Sequence, residues 1–250
     1  MSIPFAQTKD EIPGHVLSAF QLEGRGEPTS AAWGGGLRFG HVVVARANAT
    51  SAWSGKAREK IAGSLDGMRM SRPVRATDGR LVVGGYAANE FADGAPAARV
   101  DEVVAGALRF DTAVEHLDPP STVARDDQWA EIDRAVWAGE NVAGCAGGEP
   151  VVAHLDFLAS CLFDGTLPPT LAGFTPSVEL RPRGYTAALV IVDGLLHRAV
   201  DHRILERWSH IPDIRHLTRK ALEFRELGLG GQDANLRARI REIADLLMSD

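Results

Sequence analysis

The residues with the clearest potential for chemistry lie in VVAHLDFLASCLFDGTLPPTLAGFTP (151–176), where His154 and Asp156 follow an apolar run. The Asp156 carboxylate could take part in a reaction, or it could cap nearby backbone N–H groups. A histidine at the end of an apolar strand is more often a hydrogen-bonded core residue than a catalyst, which favours a structural role for His154. Cys161 lies in the same apolar stretch and is predicted to fill the core.

A glycine run is a second candidate for ligand binding. Gly34, Gly35 and Gly36 either cradle phosphate groups with their backbone N–H groups or form a tight turn. A GxxxxGK[ST] phosphate-binding motif is not present, because Gly55-Lys56 lacks the upstream glycine.

A third candidate is a metal site. His197 and Asp201 are four residues apart and would share a face if they lay on one helix, with His202 next to them. A third ligand at a suitable spacing is not evident, so the pattern is weak.

Composition limits the class of partner. Of 250 residues, 45% are hydrophobic and 24% are charged, and the net charge of −6 gives no basic excess for binding phosphate backbones. Two cysteines are too few for a disulfide framework, and the N-terminus lacks a secretory pattern. The most apolar run, 187–196, is well below the roughly 20 residues that span a bilayer. We therefore expect a cytoplasmic protein with no nucleic-acid or membrane partner.

The first hundred residues are predicted to form mostly strands around one long helix. The predicted elements are a short helix at 12–22, a strand or hairpin with a glycine-rich entry at 34–46, a helix at 50–64, and short strands at 73–76 and 81–86. Thr50 or Ser51 would cap the 50–64 helix. Asp78-Gly79 between the last two strands predicts a hairpin.

After Gly94-Ala95-Pro96 the pattern becomes helical. Apolar residues from Val100 to Leu117 recur at helical spacing, and Asp111 is the one polar residue on that face. Helices are predicted at 100–117, 127–138, 186–200, around Trp208, around 214–224 and around 236–247, and the 151–176 stretch is predicted as strand, loop and strand. A run of strands followed by a run of helices indicates the α+β class.

This order, with His-Leu-Asp opening the β segment of the second part, resembles the aminoglycoside phosphotransferase and choline kinase-like superfamily, which has the protein-kinase fold. More specifically, it resembles an actinobacterial family on that fold. The likeness is carried by RPVRATDGRLVVGGYAANEF (72–91), the 151–176 stretch, AALVIVDGLL (187–196) and ERWSHIPD (206–213). It implies a two-lobe fold, with a strand-rich nucleotide-side N-lobe at 1–94 and a mainly helical C-lobe at 95–250.

In active relatives the catalytic segment carries His-Gly-Asp and then an Asn that holds Mg²⁺, and the Asp accepts the proton of the substrate hydroxyl. His154 and Asp156 match this pattern, whereas Ser160 replaces the Asn. Gly173 stands where the relatives have a metal-binding Asp. The resemblance therefore implies a damaged metal site, with Ser160 and Glu179 as candidate replacement ligands, and a hydroxyl is a poor ligand for a hard cation.

The relatives also hold the nucleotide phosphates with a Lys on the third strand. The matching residue here is Ala45, and Arg46 would reach the same side only if a bulge re-aimed it. Glu59 is a candidate partner for such a cation. A hinge near 84–90 would present backbone groups to adenine. The candidate cofactor-binding residues are therefore Gly34, Gly35, Gly36, Arg46, Glu59, Gly85, Tyr86 and Ala87.

The absence of the strand Lys, the Asn and the metal-binding Asp of the relatives predicts weak or absent catalysis, because phosphoryl transfer depends on positioning and on charge neutralisation. We expect a pseudokinase that binds a nucleotide or another small molecule in the cleft between the lobes, with ATP and Mg²⁺ bound weakly if at all. A further hypothesis is that the protein acts only by binding another protein. The alternative is an ATP-dependent small-molecule phosphotransferase in which Asp156 acts with His154, and Arg46 and Glu179 replace the lost cation and carboxylate.

Overall fold

The computed structural model describes residues 11–121, 127–145, 147–228 and 234–248, and it has the predicted α+β architecture. The chain forms two compact units. The strand unit comprises the described residues up to Pro96 together with Ala159–Thr175, and the helical unit comprises those of Ala97–Leu158 and Pro176–Asp250. Residues 159–175 therefore pack with the strands of the first unit, although they belong to the second lobe in the sequence-based division.

Two sheets make up the strand unit. Their strands are β1 (Glu27–Pro28), β2 (Leu37–Phe39), β3 (Val42–Arg46), β4 (Arg69–Met70), β5 (Pro73–Val74), β6 (Val82–Val83), β7 (Tyr86–Glu90), β8 (Cys161–Leu162) and β9 (Thr170–Leu171). The larger sheet is antiparallel in the order β1-β2-β3-β7-β5, and β6 also pairs with β7. The smaller sheet has the order β4-β9-β8, and this pairing joins residues 159–175 to the strand unit.

The predicted hairpin is wrong in its pairing. The Asp78-Gly79 turn does form, and the Ala76 N–H donates to the Arg80 carbonyl at 2.8 Å. However, β5 and β6 each pair with β7 and not with each other. Residues 86–90 thus form a central strand in the region where a hinge was predicted, and the backbone groups of β7 bond to neighbouring strands on both sides.

Strand β3 separates two apolar clusters of the strand unit. Val42 and Val44 face the cluster that includes helix α1 (Gly14–Ala19), whereas Val43 faces the other cluster, as the two-residue period of a strand requires. Helix α2 (Ser51–Ile61) begins after Thr50, but the predicted cap is wrong, because the Thr50 side chain makes no capping hydrogen bond and its hydroxyl donates to Asn48 Oδ1 at 3.0 Å.

The helical unit is built around one almost fully buried helix. Its helices are α3 (Val100–Ala113), α4 (Gln128–Val136), α6 (Tyr185–Leu196), α7 (Ile204–Arg207), α8 (Ile214–Gly228) and α9 (Ala234–Met248). In the 151–176 stretch, β8 and β9 form the predicted strand, loop and strand, and a short helix that was not predicted, α5 (Phe157–Ser160), precedes β8. In α6 every residue except Leu195 is buried. A Cβ atom on Gly194 would lie 2.8 Å from Val100 Cγ1, so glycine permits the close approach of α3 and α6. None of the described helices is long and apolar enough to cross a membrane.

Two buried ion pairs hold this unit together. The Arg181 guanidinium donates to both oxygens of Asp133 at 3.0 and 2.8 Å, and Asp133 also accepts the Val178 N–H at 2.7 Å. The Arg225 guanidinium on α8 donates to both oxygens of Asp193 on α6 at 2.6 and 2.7 Å. All four charged side chains are at most 5% exposed, so each charge depends on its partner for solvation.

We predict that Asp133→Ala lowers the free energy of unfolding by about 3–5 kcal/mol, because it leaves the Arg181 charge buried without its carboxylate. Urea denaturation followed by circular dichroism measures the loss. The control is Glu102→Ala, whose partner Arg99 lies at the surface and which should change the midpoint far less. Equal midpoints for the two variants would contradict the prediction.

Candidate functional site

The glycine run lies between β1 and β2 and continues a tight turn at Ala31–Trp33. Its three backbone N–H groups all donate to backbone carbonyls of the same loop. The bonds run from Gly34 to Ala31 at 2.9 Å, from Gly35 to Ser30 at 3.3 Å, and from Gly36 to Trp33 at 3.3 Å. The donors that could have cradled a phosphate are therefore engaged in the turn.

The same run rests directly on strand β3. A Cβ atom on Gly36 would lie 2.9 Å from the Ala45 Cβ, and one on Gly34 would lie 3.6 Å from it. The Gly36 carbonyl accepts the N–H and the hydroxyl of Thr29 at 2.9 and 2.8 Å, which pins the loop to β1. A lysine side chain at position 45 would have to push this loop away from the sheet.

Trp33 covers the neighbouring part of the same sheet face. It is 6% exposed and packs with Val43, Leu162 and Ala172, and its ring centroid lies 5.4 Å from that of Phe91. We call these five residues the Trp33 cluster. Trp33 was not among the residues predicted from the sequence to form the site. Its position in a polar segment beside glycines is a usable signal, because the large apolar surface of an indole is usually buried against other residues.

Arg46 faces the opposite side of the sheet from Ala45. The β3–β7 ladder is unbroken from Val42 to Arg46, so no bulge re-aims the side chain. The Arg46 guanidinium lies 5.1 Å from the ring centroid of Tyr86, which belongs to the cluster around α1. Two predicted cofactor-binding residues thus meet each other, but away from the glycine run.

The other two residues predicted at the hinge lie at the start of β7. Gly85 has a φ of +80° in the turn before β7, and its carbonyl accepts the Ala47 N–H at 2.8 Å. Ala87 pairs with Ala45 in the β3–β7 ladder. Both residues are therefore part of the sheet framework.

Glu59 pairs with Arg75 and not with Arg46. The Arg75 guanidinium donates to both Glu59 oxygens at 2.8 and 2.6 Å, and these hydrogen bonds lower the pKa of the carboxyl. The buried charge on α2 is instead the preceding residue, Arg58, which donates to the Ser71 carbonyl at 2.7 Å and to Asn89 Oδ1 at 2.6 Å. Burial lowers the pKa of Arg58 to about 10.

His154 is fully buried in the helical unit and braces the backbone beside it. The imidazole Nδ1 accepts the Asp156 N–H at 3.1 Å, and the backbone N–H of His154 donates to the Thr186 hydroxyl at 3.1 Å. The imidazole packs edge-on against Phe110 and Phe157, with ring centroids 5.8 and 5.3 Å away. Both predicted catalytic residues are thus in contact, through a hydrogen bond that involves the backbone of Asp156.

Asp156 lies close to the buried ion pair of α6 and α8. Its side chain is nine-tenths buried. Burial by itself lowers the pKa of Arg225. The Asp193 carboxylate and, to a lesser degree, the Asp156 carboxylate raise it, and the net shift is upward. Asp156 therefore contributes negative charge to the solvation of a buried guanidinium.

The two predicted metal ligands belong to different compact units. Ser160 ends α5, and its carbonyl accepts the Ala172 N–H at 2.8 Å within the strand unit. Glu179 belongs to the helical unit, where its side chain is 68% exposed and lies 3.7 Å from Arg181. Across the described segments, no three His, Cys, Asp or Glu side chains come together as a metal site would require. His197 follows the last residue of α6, so it does not share a helix face with Asp201.

Comparisons with known proteins identify the fold. No family model and no curated protein matches the sequence. An aminoglycoside phosphotransferase from Alicyclobacillus acidocaldarius has a similar structure, with a TM-score of 0.52 and 12% identity over 96% of this chain and 93% of that one. Spectinomycin phosphotransferase APH(9)-Ia, solved with ADP and spectinomycin, matches with a TM-score of 0.45 and 11% identity over 85% and 82%. The first of these two similarities shows that the chain has the predicted aminoglycoside phosphotransferase-like, kinase-like fold.

We predict that His154→Ala destabilises the protein more than His154→Asn, by about 1–3 kcal/mol. Both variants lose the ring packing, but an Asn carbonyl can still accept the Asp156 N–H two residues on, whereas Ala leaves that buried donor unsatisfied. Urea denaturation at neutral pH measures the difference. If both variants unfold at the same midpoint, the hydrogen bond contributes nothing and ring packing alone explains the buried imidazole.

Proposed function

We propose that this protein is a kinase-fold pseudoenzyme that acts by binding a small molecule or a protein and does not transfer phosphate. The observation that carries the proposal is the packing of the glycine run and the Trp33 cluster on one face of β3. In the protein-kinase fold this strand and the glycine-rich loop hold the nucleotide phosphates between them. Here the two elements are in contact with each other.

The residues present do not fit a nucleoside triphosphate. The N–H groups of the glycine run are bonded within the loop, and the residue in the place of the phosphate-binding Lys is Ala45. The nearest cation along β3, Arg46, lies against Tyr86 on the other face of the sheet. Phosphate charge would therefore lack both the dipoles and the cation that normally neutralise it.

The residues also do not fit catalytic Mg²⁺. Such a site takes carboxylate and carbonyl oxygens in near-octahedral arrangement. Ser160 offers a hydroxyl, Gly173 offers no side chain, and Glu179 is a surface carboxylate beside Arg181. No phosphate-transfer step is supported by this set.

The contacts of His154 and Asp156 support a structural role for both. The imidazole is held between two phenylalanine rings and its Nδ1 is used by a backbone N–H, so it is not poised to exchange a proton at that atom. The Asp156 charge acts on Arg225. These interactions account for the His-x-Asp pattern without catalysis.

We predict that isothermal titration of the protein with Mg·ATP gives no saturable heat, and that no phosphate is released from ATP. Trp33→Ala should open space for a base and allow weak binding of adenosine. Mg·ATP should bind this variant no more tightly than adenosine does, because the phosphate-binding groups are still missing. Trp53→Ala is the matched control, since Trp53 is a second tryptophan of the strand unit that packs on Phe174 and lies outside the Trp33 cluster.

Mg²⁺-dependent ATP binding by the unmodified protein would overturn the proposal. So would ATP consumption that Asp156→Ala abolishes, which would instead establish the phosphotransferase alternative. Adenosine binding by both tryptophan variants would show that Trp33 has no special part in closing the site.

A further inference from the structure

Asp111 differs from the other fully buried carboxylates of the helical unit. Among the described residues of this unit, three carboxylate side chains are at most 2% exposed, those of Asp111, Asp133 and Asp193. Asp133 and Asp193 each accept two hydrogen bonds from an arginine guanidinium. Asp111 forms no ion pair with any residue in the described part of the chain. A buried charge without an opposite charge beside it is costly, so such a carboxyl tends to take up a proton.

The contacts of Asp111 are to neutral donors at the start of α6. Its Oδ2 accepts the Gly184 N–H at 2.7 Å, and the Thr186 hydroxyl donates to the same carboxyl. These two bonds connect the middle of α3 to the first turn of α6. Neutral donors reduce the cost of burying the charge but supply no counter-charge.

The charged and titratable groups near Asp111 are engaged elsewhere or lie at the surface. The Arg183 guanidinium donates to the Glu115 carboxylate at 2.8 Å and to the Glu149 carbonyl at 3.1 Å. Its charge acts on the Asp111 carboxyl less than either hydrogen bond does. On the loop before α8, the exposed His210 lines a pocket of about 200 Å³ together with Asp111.

Burial has the largest effect on the pKa of Asp111. It raises the pKa from 3.8 to about 6, while the two hydrogen bonds and the Arg183 charge act in the opposite direction. The folded state therefore binds more protons than the unfolded state between the two values. Stability accordingly increases as the pH falls through this window, and the gain is lost again as the pH rises through the folded-state pKa.

The same contact reaches the His-x-Asp segment through Thr186. The Thr186 hydroxyl accepts the backbone N–H of His154 at 3.1 Å and gives its own proton to Asp111. A hydroxyl oxygen has two lone pairs, so it can also accept a hydrogen bond from a protonated carboxyl. Protonation of Asp111 therefore allows the bond between Asp111 and Thr186 to reverse, which changes the environment of the His154 N–H.

We propose that Asp111 is a pH-sensitive clamp, which takes up a proton in mildly acidic solution and then joins α3 more firmly to the start of α6 and, through Thr186, to the backbone of His154. The neutral acid keeps both contacts without the cost of a buried charge. The clamp is independent of the pseudoenzyme proposal, because it uses neither the glycine run nor Ala45 nor the residues matched to metal ligands.

A pH titration of the unmodified protein followed by ¹H–¹⁵N NMR tests the clamp directly. The Gly184 amide should shift with a midpoint near pH 6, because its N–H donates to the titrating carboxyl. The His154 amide should follow with the same midpoint. Asp111→Asn should abolish the Gly184 titration, since an amide does not ionise but keeps an oxygen for the Gly184 N–H. His210→Asn is the matched control, because it removes the imidazole that lines the same pocket and should leave the Gly184 titration in place.

Urea denaturation at about pH 7.5 and at about pH 5 measures the effect on stability. Relative to Asp111→Asn, the ratio of folded to unfolded unmodified protein should increase about 10-fold from the higher to the lower pH, as linkage requires for a carboxyl whose pKa rises from 3.8 to about 6 on folding. Comparison with the Asn variant cancels the titration of the other carboxyls and of the histidines, which both proteins share.

Four results would overturn the proposal in whole or in part. One is a Gly184 amide without a midpoint between about pH 5 and pH 7 in the unmodified protein, which decides the matter even if Asp111→Asn does not fold. Another is a Gly184 titration that a folded Asp111→Asn variant retains or that His210→Asn abolishes. A third is a stability difference from Asp111→Asn that is the same at both pH values. Titration of Gly184 without His154 would overturn the link through Thr186.

Discussion

Close packing between the glycine run and strand β3 is the constraint on which the strand unit depends. Gly36 approaches Ala45 so closely that a Cβ atom would lie 2.9 Å from the alanine methyl group. Only small residues at both positions allow this contact, and the preceding turn then carries the Trp33 indole onto Val43. The apolar surface buried there stabilises the loop in a form whose N–H groups are turned inward and bonded to its own carbonyls.

In the helical unit the constraint is a different one, because a mostly apolar helix has to be held in a single register. Helix α6 is buried on nearly all sides, and hydrophobic packing alone tolerates alternative arrangements. Directional contacts to charged groups exclude those alternatives. Asp193 on α6 pairs with Arg225 on α8, and Asp111 on α3 accepts the N–H of Gly184 at the beginning of α6. Each contact is favourable in only one alignment of the helices.

The fold and the chemistry of a kinase-like protein depend on different parts of the chain. The kinase-like architecture supplies a sheet with a glycine-rich loop and a helical unit with a His-x-Asp segment. The chemistry of that architecture resides in a few side chains and in a gap between loop and strand that can hold phosphate. In the proposed pseudoenzyme, Ala45 in the place of a strand lysine both removes a charge and leaves room for the loop to pack on the sheet. We therefore regard loss of the cation and closure of the site as one coupled change in the proposed pseudoenzyme.

The sequence by itself determined the α+β class, the helices other than α5 and the separation of Ala45 from Arg46 onto opposite sheet faces. These features follow from periods of 3.6 and 2.0 residues, which are local properties of the chain. It also identified Asp111 as a polar residue on an apolar helix face. Only the tertiary structure decided that Glu59 pairs with Arg75, and that the Trp33 indole packs on β3. Those partners are distant in the chain, so they depend on which surfaces the fold brings together, and no local pattern encodes that choice.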